Sequence, residues 1–317
     1  MPIYGALDVG SNSVRLLVGE VEGGRVRPLL QDLESSRLMA GFKDGRLSPD
    51  SINRTLAAAG RLLEKAQRYP LKNFLAVATS AAREAVNAGE LLDRLEARLN
   101  LRVEVIGGEE EARLTFKGVR AGLKGKVKEP VVVVDVGGGS TEFAWEEDGR
   151  LNLRSVPLGA VRCTERATSL KEIEETLAPV LQELRRQQGL YPVEFLNDKV
   201  DPGRGASISS AGWSVVGCGG TATTLGALEL GLKKYNPELV HGLSLPQGKV
   251  GYWLKKLASL PLESRRKLAG LQPERADIIV AGVTILEAIL RGLNAGEIII
   301  SEADLLWGLL LKAAGEE

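Results

Sequence analysis

The 317-residue chain carries 41 Lys plus Arg against 41 Asp plus Glu, so no net field draws it to nucleic acid or to an acidic membrane, and any anionic ligand must be caught by local groups. Its two cysteines, Cys163 and Cys218, stand in no C-x-x-C spacing, which argues against a disulfide framework or a zinc site and for a reducing, cytoplasmic setting. The N-terminal MPIYGALDVG lacks a basic region followed by an apolar stretch, and no apolar run approaches the roughly 18 residues of a membrane span, so a protein neither exported nor membrane-bound is expected.

A length about twice that of a typical domain makes two domains the default. IYGALDVG, VRLLVGEVEGG and RVRPLLQDLE are apolar-rich runs punctuated by glycine, which predicts a three-stranded antiparallel meander. After the polar KDGRLSPDS, the residues Ile52, Leu56, Ala59 and Leu63 recur at helical spacing and share one face. There follow a strand FLAVATS, a helix carrying Leu91, Leu95 and Leu99, a strand RVEVIG and a charged amphipathic segment, EEEARLTFKGVRAGL.

The theme then restarts. PVVVVDVGGGSTEFAWEEDGRLNLRSVPLG reads as a buried strand, a Gly-rich turn and two more strands, so the D-V-G-x-x-S pattern of Asp8 to Ser13 recurs from Asp135 to Ser140 inside a longer duplication. A repeat of this size implies two domains of like topology. Tyr191 to Trp213, rich in Pro, Gly and Ser, is read as a surface excursion. Beyond it lie SVVGCGGTATTLGAL, helices around Trp253 and Leu268, the apolar ADIIVAGVTILEAIL, a strand EIIIS and a last helix, ADLLWGLLLKAA.

A strand that delivers a carboxylate into a Gly-rich turn exposes backbone N–H groups that can cradle phosphate oxygens, while the Asp at its start, Asp8 or Asp135, can hold a metal ion that neutralises the same phosphate. One such loop is equally a tight hairpin turn. Two in corresponding places, if they face each other, enclose a phosphate-sized cleft. A third cluster, with Gly219, Gly220 and Thr221 after a strand and before a helix, is a weaker sign of the same kind, and no G-x-x-x-x-G-K-[ST] P-loop is present. Arg83, just after a strand in ATSAAREA, can clamp phosphate in bidentate fashion or stand on the surface. Glu109, Glu110 and Glu111 at a helix N-terminus suit the helix dipole; the functional reading is a general base.

Together the segments DVGSNSVRL, RLMAGFKDGRLS, ATSAAREA, GGEEEARLTFKGV, VVVDVGGGSTEF, SVPLGAVRCTE, GCGGTATTLGAL and LQPERADIIVAG resemble the exopolyphosphatase and guanosine pentaphosphate phosphatase family, within the actin, sugar kinase and heat-shock chaperone ATPase superfamily. The resemblance runs nearly end to end. It implies an α/β fold of two ribonuclease H-like, actin-like ATPase domains with a cleft between them, the first from residues 1–121 plus about 298–317 and the second from 122–297. It implies Glu111 as catalytic base with Glu110 its neighbour, Asp135 and Glu142 at a magnesium site, and Asn12, Ser13, Arg83, Gly137, Gly138, Gly139, Ser140 and Thr141 as phosphate contacts. With Asp8 the metal set would be Asp8, Asp135 and Glu142, for Mg2+ with Mn2+ as alternative. The implied substrate is inorganic polyphosphate or guanosine pentaphosphate, with no nucleic acid or membrane partner; a homodimer is the assembly entertained. Leu306 and Trp307 stand where family members commonly carry Arg and Glu, which puts a substrate contact from the last helix in doubt. His241, in LVHGLSL, reads as a loop histidine holding backbone groups. A polymer track could use Lys124, Lys126 and Lys128, Lys233 and Lys234, or Arg265, Arg266 and Lys267, although such clusters are usually solvated surface. A sugar-kinase-type phosphotransferase and a non-hydrolysing alarmone sensor are the competing readings.

Overall fold

The computed structural model describes residues 1–187 and 212–316. The expected excursion from Tyr191 lies outside the described residues except for Gly212 and Trp213. β1 (Ile3–Val9), β2 (Ser13–Glu22) and β3 (Arg25–Ser35) form the expected meander, and β4 (Leu71–Ala78) and β5 (Val103–Val105) add in parallel on the other side of β1. The period of two in β1 divides its residues between two cores. Leu7 and Val9 face α1 (Pro49–Ala66) and α3 (Ala88–Leu99), while Tyr4 and Ala6 face the last helix, α12 (Leu305–Ala314). Helix α1 starts where Ser48 accepts from the Ser51 N–H and Pro49 fills the first turn.

The second sheet repeats the first. β6 (Val131–Val136), β7 (Thr141–Glu147) and β8 (Arg150–Val156) form a meander, and β9 (Ser214–Cys218) and β11 (Glu297–Ile300) extend it in parallel, with β10 (Ser244–Pro246) added at the edge. The order β3-β2-β1-β4-β5 thus reappears as β8-β7-β6-β9-β11. The valine run of β6 is apolar on both faces because both are covered: Val132, Val134 and Val136 join the large core of the second half, and Val131 and Val133 pack under α4 (Gly108–Gly122). Helix α4 joins the halves, with Leu114 against α12 and Ala112, Phe116 and Val119 on the second sheet. The boundary expected near residue 298 falls inside β11, which is paired within the second sheet.

The fourth strand of each sheet runs directly into a helix, β4 into α2 (Ser80–Glu84) and β9 into α7 (Gly219–Glu229). The remaining helices are α5 (Ala160–Arg166), α6 (Leu170–Gln187), α8 (Pro237–Val240), α9 (Gln247–Ser259), α10 (Leu262–Arg265) and α11 (Ile279–Gly292). Leu268 is not helical: α10 ends at Arg265, whose side chain donates to the carbonyls of Leu260 and Ala276 and closes the following turn by tertiary bonds. Among the described residues no helix is long and apolar enough to cross a membrane.

Candidate active site

Both D-V-G-x-x-S segments fold into one and the same turn. The Gly10 N–H donates to the Ser13 carbonyl at 3.0 Å, and the Gly137 N–H donates to the Ser140 carbonyl at 3.0 Å. A Cβ on either glycine would stand 3.1 Å from that serine oxygen, so a side chain would be crowded against backbone. The turns face each other: a Cβ on Gly138 would lie 3.0 Å from Ser11 Cβ and 3.4 Å from the Asn12 nitrogen, and one on Gly139 would overlap Ser80 Oγ.

Each loop is held from behind by its carbonyls. Ser11 O accepts from the Met39 N–H at 2.9 Å; Gly137 O accepts from Ala160, and Gly138 O from Val161 and Arg162, at the start of α5. In a trans peptide the N–H of the following residue points the opposite way. The amides of Gly138 and Gly139 are therefore aimed away from α5 and into the space between the loops, facing the Asn12 amide of the other loop, a geometry of the kind that can receive an anion. Sequence reasoning asked only that the loops be glycine-rich; what turns their amides inward is the carbonyl capture by α5 and by residues 36–39.

A small cavity of about 70 Å³ lies between the loops, and Asp8, Asn12, Ser13, Glu111, Asp135, Gly137, Gly138, Gly139, Ser140, Gly219, Gly220 and Thr221 all line it. Glu111 enters from the first turn of α4. Arg83, at the end of α2, is not on the wall but behind it, where its Nη1 donates to Ile106 O at 2.9 Å and to Glu111 Oε2 at 3.3 Å. Burial raises the Glu111 carboxyl well above its ordinary value, Glu142, Asp8 and Asp135 add to that rise, and Arg83 opposes it. Arg83→Lys is expected to keep the fold and to lower kcat/KM by about 10- to 100-fold, because an ammonium cannot hold a carbonyl and a carboxylate in one fixed fork. A wild-type kcat/KM would show that the link from Arg83 to Ile106 and Glu111 is structural and not needed for turnover.

Asp8 and Asp135 occupy equivalent places in the two ladders, opposite Arg15 in the first and Glu142 in the second. Arg15 donates to Asp8 Oδ2 from Nε at 2.9 Å and from Nη2 at 2.7 Å, and it also pairs with Asp304 at the start of α12. Burial pushes Asp135 up to about 6, Arg15 pulling it down and Asp304 and Asp8 pushing it up further. Glu142 reaches about 7 through burial and the nearby Asp135, against hydrogen bonds from the Ser140 and Ser155 hydroxyls. It sits just behind the wall, with Ser155 Oγ donating to it at 2.8 Å. Gly219 has a positive φ of 71°, and a Cβ there would overlap the Asp135 carboxylate; a Cβ on Gly220 would overlap the Arg275 guanidinium. Arg275 is held down to about 10 by burial and by the neighbouring Arg15. The centre therefore holds two arginines facing a cluster of carboxylates, as a polyanion bound with a counter-cation would require.

A family model described as the Ppx/GppA phosphatase family matches residues 17–317. The chain is 34% identical to exopolyphosphatase 2 of Mycobacterium tuberculosis, over 98% of each chain. The chain belongs to the Ppx/GppA phosphatase family. A solved Ppx/GppA family member from Aquifex aeolicus is 30% identical, covers 99% of this chain and 98% of its own, and superposes with a TM-score of 0.72. An exopolyphosphatase from Cytophaga hutchinsonii, 22% identical with 99% of each chain covered and a TM-score of 0.83, bears out the fold. The architecture is thus the expected pair of actin-like, ribonuclease H-like domains around a cleft, and Ppx/GppA membership makes the chain a phosphatase.

Three residues expected at the site do not line this Ppx/GppA cavity: Arg83 and Glu142 stand behind it, and Thr141 gives its hydroxyl to Leu158 O at 2.6 Å. Arg15, Arg275 and Ser80 line it without having been singled out. Arg15 was within reach, two residues after Ser13 on a strand and so on the same face; Arg275 arrives from a short 3-10 turn, Pro273–Arg275, inside the LQPERADIIVAG segment that carries the family resemblance but with no strand, helix or Gly-rich turn to assign it a role. Leu306 is buried in the core and Trp307 stacks on His241 at 6.4 Å, so neither reaches the cavity; the start of α12 acts on it only through Asp304, which pairs with Arg15. His241 does hold backbone: its Nε2 meets Gly122 O at 3.1 Å, and its Nδ1 accepts from the Glu302 N–H at 3.1 Å. Among the described residues, no three of His, Cys, Asp and Glu are gathered as a ready-made metal shell, so Asp8, Asp135 and Glu142 do not enclose an ion by themselves. The site nevertheless fits an oxygen-seeking ion completed by water and phosphate, because Asp8 Oδ1 and Asn12 Oδ1 are buried with no hydrogen-bond partner.

Proposed function

We propose that this phosphoanhydride hydrolase releases terminal orthophosphate from inorganic polyphosphate. The observation that carries the reading is the pair of identical turns facing each other over one cavity that Glu111 enters. The terminal phosphate sits against the amides of Gly138, Gly139 and Asn12. A water hydrogen-bonded to Glu111 attacks phosphorus opposite the bridging oxygen, its proton passes to Glu111, and the bridging P–O bond breaks with its electrons leaving on the shortened chain. Arg15 and Arg275 face the charge that grows on the leaving side. Asp8, Asp135 and Asn12 would hold a divalent cation, Mg2+ with Mn2+ as alternative, and Glu142 supports them from behind. That ion supplies charge neutralisation on the phosphate oxygens. Cytoplasmic residence and a homodimer are part of this reading.

Guanosine pentaphosphate is the second reading, and one feature favours it. A cavity of about 350 Å³ adjoins the first across Gly219, Gly220, Arg15 and Arg275, and Thr223, Thr224, Tyr235 and Gly270 also line it. This is room enough for a nucleoside beside the phosphate site. Of the polymer-track candidates, Lys124, Lys126 and Lys128 follow the far end of α4, roughly 20 Å from Glu111 at the helical rise. Phosphate release from short and long polyphosphate, guanosine pentaphosphate and ATP, each with and without Mg2+, tests the assignment. Polyphosphate is expected to have the highest kcat/KM; a guanosine pentaphosphate value about 10-fold higher would move the assignment to the second reading, and turnover of none would end both.

A further inference from the structure

The third carbonyl of the second loop, that of Gly139, is also taken from the α5 side, but by a side chain. Arg162 is only 6% exposed, and its Nε donates to Gly139 O at 2.6 Å. Its Nη2 pairs with Glu84 Oε1, the oxygen that also accepts from Ser80 Oγ at 3.0 Å. Glu84 follows Arg83 and belongs to the first half of the molecule, whereas Gly139 belongs to the second. Ala160 and Val161, just before Arg162, are buried in the core of the first half. One guanidinium therefore joins the phosphate loop to α2, the helix that carries Arg83, directly across the cleft.

We propose that Arg162 is a positioning residue for phosphoryl transfer. By capturing the Gly139 carbonyl it turns the Ser140 amide toward the substrate, and by pairing with Glu84 it sets the distance between that amide nest and the Arg83–Glu111 pair. The argument rests on the phosphohydrolase reading. A planar fork suits this task because its two donors leave at a fixed angle toward a carbonyl and a carboxylate, which a single ammonium cannot reproduce. A loop displaced by even about 1 Å costs on the order of 100-fold in rate.

The test uses the full chain and the polyphosphate it hydrolyses best. Arg162→Lys and Glu84→Gln are each expected to lower kcat by about 10- to 100-fold with KM changed less than about 3-fold. Hydrogen exchange is expected to quicken at residues 137–141 and 80–84 together, at an unchanged melting temperature. The double variant is expected to be no worse than the poorer single one, because both break the same link. Losses that multiply in the double variant, or faster exchange with wild-type kcat, would overturn the proposal and leave Arg162 a structural residue. Should Arg162→Lys not fold, Glu84→Gln with the same kinetic and exchange readouts decides alone. A wild-type chain inactive on polyphosphate and guanosine pentaphosphate would sink the functional reading instead, and exchange at the two segments would still report whether the link exists.

Discussion

Replacing Glu111 by Gln is expected to lower kcat by about 10²- to 10⁴-fold while leaving substrate affinity nearly constant, the loss that follows from removing a general base without changing its size. The surroundings suit that assignment: Glu111 lines the cavity, Arg83 fixes one of its oxygens at 3.3 Å, and burial with three neighbouring carboxylates raises its proton affinity. Its neighbours are built-in controls. Glu110 is engaged with Arg113 Nε at 2.7 Å and with Lys312 at 3.4 Å, and Glu109 is exposed. Each of the three substitutions removes one negative charge from the start of α4, so a purely electrostatic capping role predicts small and similar stability losses, of order 0.3 to 1 kcal/mol, with little kinetic effect. Steady-state kinetics on all three variants decide the matter. A deep loss at position 111 alone identifies the base; equal mild losses, or a loss centred on Glu110, would show that the proton goes elsewhere.

The sequence made the duplication legible because its turn chemistry is local. In both copies a glycine, Gly10 or Gly137, stands where a Cβ would be crowded 3.1 Å from a serine carbonyl oxygen, a local constraint that the sequence repeats. The valine run of β6 and the spaced apolar residues of α1 likewise carry their burial in their spacing. What stayed hidden was tertiary. Arg275 and Arg162 both lie in segments that carry the family resemblance, yet nothing in their local spacing says that one lines the cavity or that the other's donors go to Gly139 and Glu84. The turn at Leu268 looked helical because its apolar spacing does not show that backbone bonding tightens after Arg265, with Lys267 N–H on Ser264 O and Leu268 N–H on Arg265 O. The kinship of Gly219 with Ser80 was also obscured: each starts the helix after the fourth strand of its sheet, but one sequence is GGTAT and the other SAARE.

Excess chelator is expected to abolish turnover, with Mg2+ restoring it, and the same carboxylates give the requirement a second signature in stability. Burial raises Asp8, Asp135 and Glu111, takes Asp135 to about 6 and takes Glu142 to about 7. In metal-free protein the native state thus keeps protons that the unfolded chain has already released. The stabilisation they give is complete below the ordinary carboxylate range near pH 4 and is lost as pH rises through about 6 and 7. Stability should therefore fall with rising pH, and the metal-free melting temperature should be lower at about pH 8 than at about pH 5 by about 5 °C or more. A divalent cation favours the ionised carboxylates, so the melting-temperature gain from Mg2+ should be small at the lower pH and large at the higher one. Thermal melts at both pH values, with Mg2+ or with chelator, read this without any substrate. Full activity in chelator, or a metal-free melting temperature that rises toward pH 8 with no response to Mg2+, would remove the cation from Asp8 and Asp135.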